Sequence, residues 1–137
     1  MKTFVTTVVI ILLLLAPHGP GLRGQTEEDP CAPEAQRSPQ LMACAGRKFG
    51  EAAAELKRVR DGLYPDLEPR SRAKFRAAER LWLGYRKSNC DAEASIYEGG
   101  TIQPLIELQC MARLTRERAA ELKKQATTLR GDDADQR

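Results

Sequence analysis

The chain has 137 residues, enough for one domain, and carries 22 basic against 19 acidic side chains, a net charge of +3. That balance argues against a nucleic-acid binder, whose footprint is strongly basic. Its one histidine is His18, so histidine-based triads, general bases and metal ligands have no candidate beyond that position.

The N-terminus reads as a secretory signal peptide over residues 1–24. Lys2 gives a charged start, Phe4 to Leu15 an apolar run, and Pro17, Gly19, Pro20 and Gly21 a breaker-rich end. The run is too short for a membrane span, which needs about 20 apolar residues. Gly24 or Gly21 is the expected last residue removed; cleavage after Gly24 takes away Lys2 and Arg23 and leaves a nearly neutral exported product with no stable membrane insertion, periplasmic or secreted. Export oxidises thiols, so the four cysteines are expected as disulfides. Three pairings are possible. Cys31–Cys44 with Cys90–Cys110 is favoured, because each pair flanks a helix entry.

Residues 25–38 form an acidic arm: Glu27, Glu28, Asp29 and Glu34 charge it, and Pro30, Pro33 and Pro39 keep it irregular. Ser38-Pro39 is a helix start, with serine as cap. The first helix is expected from about 39 to 60, since Met42, Ala45, Phe49, Ala52, Leu56, Val59 and Leu63 recur at spacings of three and four. Gly62 should end it, and Tyr64-Pro65-Asp66 should turn the chain. The second helix is expected from about 68 to 89, with Phe75, Ala78, Trp82 and Tyr85 inward, Leu81 beside them, and Arg70, Arg72, Lys74, Arg76 and Arg80 mostly outward.

An acidic connection from Cys90 to Gly100 follows, bearing Asp91, Glu93 and Glu98 without a basic residue. Gly99-Gly100 implies a backbone conformation or a close approach that side chains would block. Thr101 should cap a third helix from about 102 to 129, whose buried side is Leu105, Leu108, Met111, Ala112, Leu114, Thr115, Ala119 and Leu122. Residues 131–137 read as a flexible tail. With no strand pattern and no repeat, the domain at 39–130 is expected to be all-α: a small antiparallel three-helix bundle stapled by two disulfides. The acidic arm and connection then meet at one end, and Arg58, Arg60, Arg70, Arg72, Lys123 and Lys124 gather at the other, so an electrically polarised molecule is expected.

No residue pattern supports catalysis. There is no C-x-x-C and no P-loop, the glutamates sit among lysines and arginines as helix-surface ion pairs, and Ser71, Ser88 and Ser95 lack a base. A non-enzyme without metal or cofactor is therefore expected. Trp82, Tyr85 and Arg86 form a polar-aromatic cluster, in which Arg86 is expected to bond backbone carbonyls of the nearby connection and organise it. Tyr97 beside Glu98 is the candidate partner contact, because tyrosine offers interface area at low entropy cost.

At these residues the chain resembles the LprI-type lysozyme-inhibitor-like domain family, across about 31 to 122. The pattern stands here as Cys31, Met42-x-Cys44, Ala54-Glu55-Leu56, Leu81-Trp82-x-x-Tyr85-Arg86, Cys90, Gly99-Gly100-Thr101, Leu105, Cys110, Thr115, Arg118 and Leu122. Lys57 stands where the family usually has asparagine, Arg60 where it often has tyrosine, and Glu79 where it often has glutamine. The resemblance implies an exported, disulfide-stapled helical protein, and for some members inhibition of a lysozyme-like muramidase that protects bacterial peptidoglycan. Asp91, Glu93, Tyr97 and Glu98 are the expected partner-binding residues; Trp82, Tyr85, Arg86, Gly99, Gly100 and Arg118 are the expected organisers. The competing expectation is a structural or interaction protein of the cell envelope with no lysozyme target.

Overall fold

The fold is seen in a computed structural model that describes residues 29–33 and 37–131. The expected signal peptide, most of the acidic arm and the 132–137 tail lie outside the described residues. Three long helices follow one another: α1 (Ser38–Leu63), α2 (Pro69–Ser95) and α3 (Gln103–Arg130). A 3-10 turn, Tyr64–Asp66, joins the first two, and no strand occurs among the described residues.

Each helix begins with a proline in its first turn, where the missing N–H has no intrahelical partner to lose. The caps differ from the sequence expectation. Ser38 is already helical, and Arg37 takes the cap position, its N–H donating to Gln40 Oε1 at 3.4 Å. Thr101 does not cap α3; Ile102 holds that place without a side-chain bond. Gly62 does not end α1, which runs on to Leu63 because that side chain is the most deeply buried leucine of the core. Gly131 does end α3: its φ of 76° lets its N–H reach Thr127 O and Thr128 O.

The helices run up, down and up, so α1 and α3 are parallel and α2 opposes both. The tightest seam lies between α1 and α3, where Ala45, Ala52, Ala112, Ala119 and Ala126 are all buried and let the two backbones approach closely. Away from the disulfides, Leu56, Leu63, Leu67 and Leu122 fill the space around these alanines, with Val59, Tyr64, Phe75 and Trp82 against them. Each such leucine is worth roughly 1.5–3 kcal/mol of transfer free energy. At the opposite end Cys90, Cys110 and Leu114 form a smaller cluster, and Trp82 touches both. Trp82 therefore joins the two halves of the core.

The second helix turns differently from its apolar pattern. Tyr85 is 56% exposed and Ala78 is also exposed, so neither belongs to the inward stripe. The residues that face the bundle are Phe75, Glu79, Trp82, Arg86 and Cys90. Their spacing is helical, but two of them are charged. A reading that seeks apolar residues therefore rotates the helix the wrong way.

Both expected disulfides are present, Cys31–Cys44 with Cα atoms 4.9 Å apart and Cys90–Cys110 with 5.5 Å. No cysteine among the described residues is free.

A braced turn as candidate functional site

The connection is shorter than its sequence suggested. Asp91, Glu93 and Ser95 lie on α2, which continues past Cys90, and only residues 96–102 turn the chain. Cys90 sits in the last turns of α2 and Cys110 in the second turn of α3, so the bridge clamps the two helix stems below the turn.

The turn is closed by its own backbone. Tyr97 N–H donates to Ala94 O at 3.0 Å, Glu98 N–H to Ser95 O at 3.1 Å, Gly100 N–H to Tyr97 O at 2.9 Å and Gln103 N–H to Gly100 O at 3.2 Å. The Gln103 side chain accepts from Gly99 N–H at 3.3 Å. Both glycines are required by this path. Gly99 has φ 74°, and a Cβ at Gly100 would lie 3.0 Å from Tyr97 O.

What the turn presents is mostly apolar. Ile96 is 78% exposed, with Tyr97 and Ile102 at 44% and 45%. Three large apolar side chains in seven residues, on a backbone fixed at both ends, make a hydrophobic tip with Glu98 at its apex.

The acids around the tip are mostly matched. Lys87 pairs with Asp91 at 2.7 Å, Arg113 reaches across from α3 to Glu93 at 2.8 Å, and Arg47 meets Asp29 at 2.7 Å. The Cys31 N–H donates to Asp29 Oδ1 at 2.9 Å and, with Arg47, holds that carboxyl below its ordinary range. Glu98 alone of these acids makes no ion pair among the described residues. The far end is interleaved too: Arg58 pairs with Glu55, Lys57 with Asp61, and Arg130 with Asp66 at 3.0 Å. The expected polarity is thus largely cancelled by local pairing, leaving, among the described residues, Glu98 and Glu107 without an ion pair towards one end and Arg70, Arg72, Lys123 and Lys124 towards the other.

Arg86 is not where the sequence reading put it. It bonds no carbonyl of the turn. Its guanidinium lies between the rings of Trp82 and Phe49, 5.1 and 5.3 Å from their centroids, and Nη1 donates to Thr115 Oγ1 at 2.8 Å. Thr115 is completely buried, and its O–H donates to Met111 O at 2.6 Å. Burial lowers the Arg86 pKa. Arg86 therefore ties all three helices together one turn below Cys90, and supports the tip from beneath. Arg118, also mostly buried, bonds Glu121 at 2.6 Å along α3.

A second polar knot joins α1 to α2. Arg60 Nη1 donates to Glu79 Oε1, and Tyr64 O–H to Glu79 Oε2, both at 2.6 Å. Burial pushes the Glu79 carboxyl up, but its bonds from Tyr64 and Arg60 outweigh that and hold it below the ordinary range. Burial first, and Glu79 next, push the Tyr64 hydroxyl up to about 12.

The signs of the pH dependence follow. A depressed carboxylate stabilises the fold above its unfolded pKa of about 4.3, and that contribution is lost as pH falls through the lower folded value. A raised tyrosine stabilises the fold below its unfolded pKa of about 10, and that contribution is lost as pH rises towards about 12. The thermal midpoint should therefore drop on both sides of a broad plateau. Glu79→Gln should flatten part of the acid limb, and Tyr64→Phe the alkaline one, in scans followed by circular dichroism.

A groove of about 290 Å³ between α1 and α3 is lined by Leu41, Cys44, Ala45, Lys48, Gln109, Ala112, Arg113 and Arg116. It brings no nucleophile next to a base. Among the described residues no three His, Cys, Asp or Glu side chains are grouped to hold a metal ion.

The Cys31–Cys44 and Cys90–Cys110 frame, with Arg86 on Thr115 inside it, falls within the match to a family model, lysozyme inhibitor LprI, over residues 31–122. The chain belongs to the LprI family. A relative, an uncharacterized protein of Rhizobium meliloti (strain 1021), is 31% identical over 125 residues, spanning 82% of this chain and 88% of its own. No solved structure matches. Within the LprI frame, two departures from the family pattern now explain each other: Arg60 and Glu79 are the two halves of one ion pair.

Of the partner residues expected from sequence, the LprI fold brings Tyr97 and Glu98 together on the tip. It places Asp91 and Glu93 on the α2 stem, each already paired. Ile96 and Ile102, which stand beside Tyr97 and Glu98 on the turn, carried no expectation of partner contact from sequence. Their signal was available: two isoleucines in a seven-residue segment with two glycines belong to no helix face.

Proposed function

We propose that this protein is an exported inhibitor of lysozyme-like muramidases, and that the 96–102 tip is what it inserts into or lays across the target's substrate cleft. The observation that carries this reading is the braced apolar turn. Exposed isoleucines and a tyrosine are unfavourable in water; full burial of an aliphatic side chain is worth roughly 1.5–3 kcal/mol, of which Ile96 stands to gain most and the half-buried Tyr97 and Ile102 a part. The disulfide and the backbone bonds fix the turn before binding, so little ordering entropy is lost on association. Glu98, free of any local cation, steers the tip towards a cationic enzyme. An inhibitor needs only a surface that blocks a cleft, which suits a site without catalytic groups. The family's name supports the target class. Two disulfides and the leader-like N-terminus support an oxidising compartment.

The test is lysis of peptidoglycan suspensions followed by turbidity, with several lysozyme classes. Tyr97→Ala and Ile96→Ser should each weaken inhibition about tenfold or more, as loss of one buried anchor does. Glu98→Gln should slow association mainly at low salt. Full lysozyme activity at micromolar excess of the oxidised protein, for every class tried, would end the proposal. Inhibition that ignores all three substitutions would move the contact elsewhere.

A further inference from the structure

A second stripe runs along α2 beside the one that packs on the bundle. Lys74, Ala78, Leu81, Tyr85, Ser88 and Ala92 are spaced four, three, four, three and four residues apart, and all six are exposed. The first four of them each immediately precede an inward residue, so the stripe lies about 100° around the helix from the core-facing side. Alternating spacings of three and four are those of a helix-pairing seam. At the centre stands Leu81, 77% exposed, next to Tyr85. The bundle does not use this face, and its middle is apolar.

Charge selects what fits it. The first half of α2 carries Arg70, Lys74, Arg76 and Arg80, with Glu79 bound inward to Arg60; its last turns carry Asp91 and Glu93, held by Lys87 and Arg113, and Glu98 follows unpaired in the turn. Arg70, Lys74, Arg80 and Glu98 make no ion pair within the chain among the described residues. A second α2 laid parallel would set the basic halves against each other. Laid antiparallel, it brings each basic half to the acidic end of its mate.

We infer that α2 pairs with the α2 of a second copy of this chain, antiparallel, through the Lys74–Ala92 face. The two-fold axis passes near Leu83. Leu81 then lies opposite Tyr85 of the second copy, Ala78 opposite Ser88, and Lys74 opposite Ala92. Arg70 comes level with the stretch from Ile96 to Glu98. In this register the seam positions alternate as an antiparallel helix pair requires. The tips point to opposite ends of the dimer, and in it each Glu98 meets Arg70 of the second copy instead of standing free.

Sedimentation of the oxidised mature protein from micromolar concentration upwards tests this. The expected result is a concentration-dependent dimer. Leu81→Glu with Tyr85→Glu should make it monomeric while leaving the helical circular dichroism unchanged, because both side chains are exposed in the single chain. Arg70→Glu should weaken dimerisation by about tenfold, since the contact occurs twice, and adding Glu98→Arg should restore it. A protein that sediments as a monomer throughout, or a dimer indifferent to Leu81 and Tyr85, overturns the proposal. A dimer that needs those two residues but shows no rescue by the charge exchange overturns its antiparallel register.

Discussion

Replacing Cys90 and Cys110 together by serine should lower stability by about 3 kcal/mol and cost most of the tip's binding. The first figure is the loop-closure entropy returned to the unfolded chain when a bridge spanning 20 residues is removed. The second effect has a different origin. Cys90 and Cys110 are both essentially inaccessible and form the centre of the smaller core cluster, against Leu114, Trp82 and Met111. Two serines there bury hydroxyls where sulfur packed, and the stems below the turn lose their clamp. Urea unfolding of the double variant, compared with the same change at Cys31 and Cys44, separates the two contributions. The two bridges close loops of similar size and should cost similar stability. Only loss of the Cys90–Cys110 bridge should also loosen amide-exchange protection at residues 97 to 103. If both double variants bind a partner equally, the clamp is a staple for the fold and not a support for the tip.

The second large effect is expected at Arg86. Its guanidinium is held by two rings and a threonine, with no carboxylate near, and its Nε is buried without a partner. Arg86→Ala should lose about 3 kcal/mol, because a long packed side chain disappears from between Phe49 and Trp82. Arg86→Met should lose much less, since it keeps the packing and removes a desolvated charge. Thr115→Val should cost about 1–3 kcal/mol by stranding Nη1 in the interior, and almost nothing once Arg86 is methionine. This cycle can be read from urea midpoints. An Arg86→Met variant as damaged as Arg86→Ala would show that the guanidinium's ring contacts and its bond to Thr115, not the packing, hold the three helices together.

The contrast between helices shows what the residue pattern could reveal. On α1 and α3 the inward faces are leucines and alanines with regular spacing, and those faces are the ones observed. On α2 the inward face includes Glu79 and Arg86, and each is tolerated only because another helix supplies its partner: Arg60 and Tyr64 for the first, Phe49 and Thr115 for the second. Such partners are separated by 15 to 37 residues along the chain, so no local pattern announces them. Tyr85 was drawn inward for the same reason, being the apolar neighbour of a buried arginine. The disulfide pairing was legible because each pair flanks the entry of a helix. The extent of the turn was not. Asp91 and Glu93 look like loop residues, yet Lys87 and Arg113 neutralise them and let α2 continue.

The hook that Arg130 makes on Gly62 O and Asp66 fastens the close of α3 to the close of α1. The polypeptide therefore departs from Gly131 at the pole farthest from residues 96–102, a helix length of about 40 Å away. It enters, through the Cys31 bridge, at the near pole. Tethering this molecule to a bead or sensor by its carboxyl end holds the hydrophobic point outward, whereas tethering by its amino end crowds that point against the support. The same asymmetry governs how it would stand on any surface in a cell.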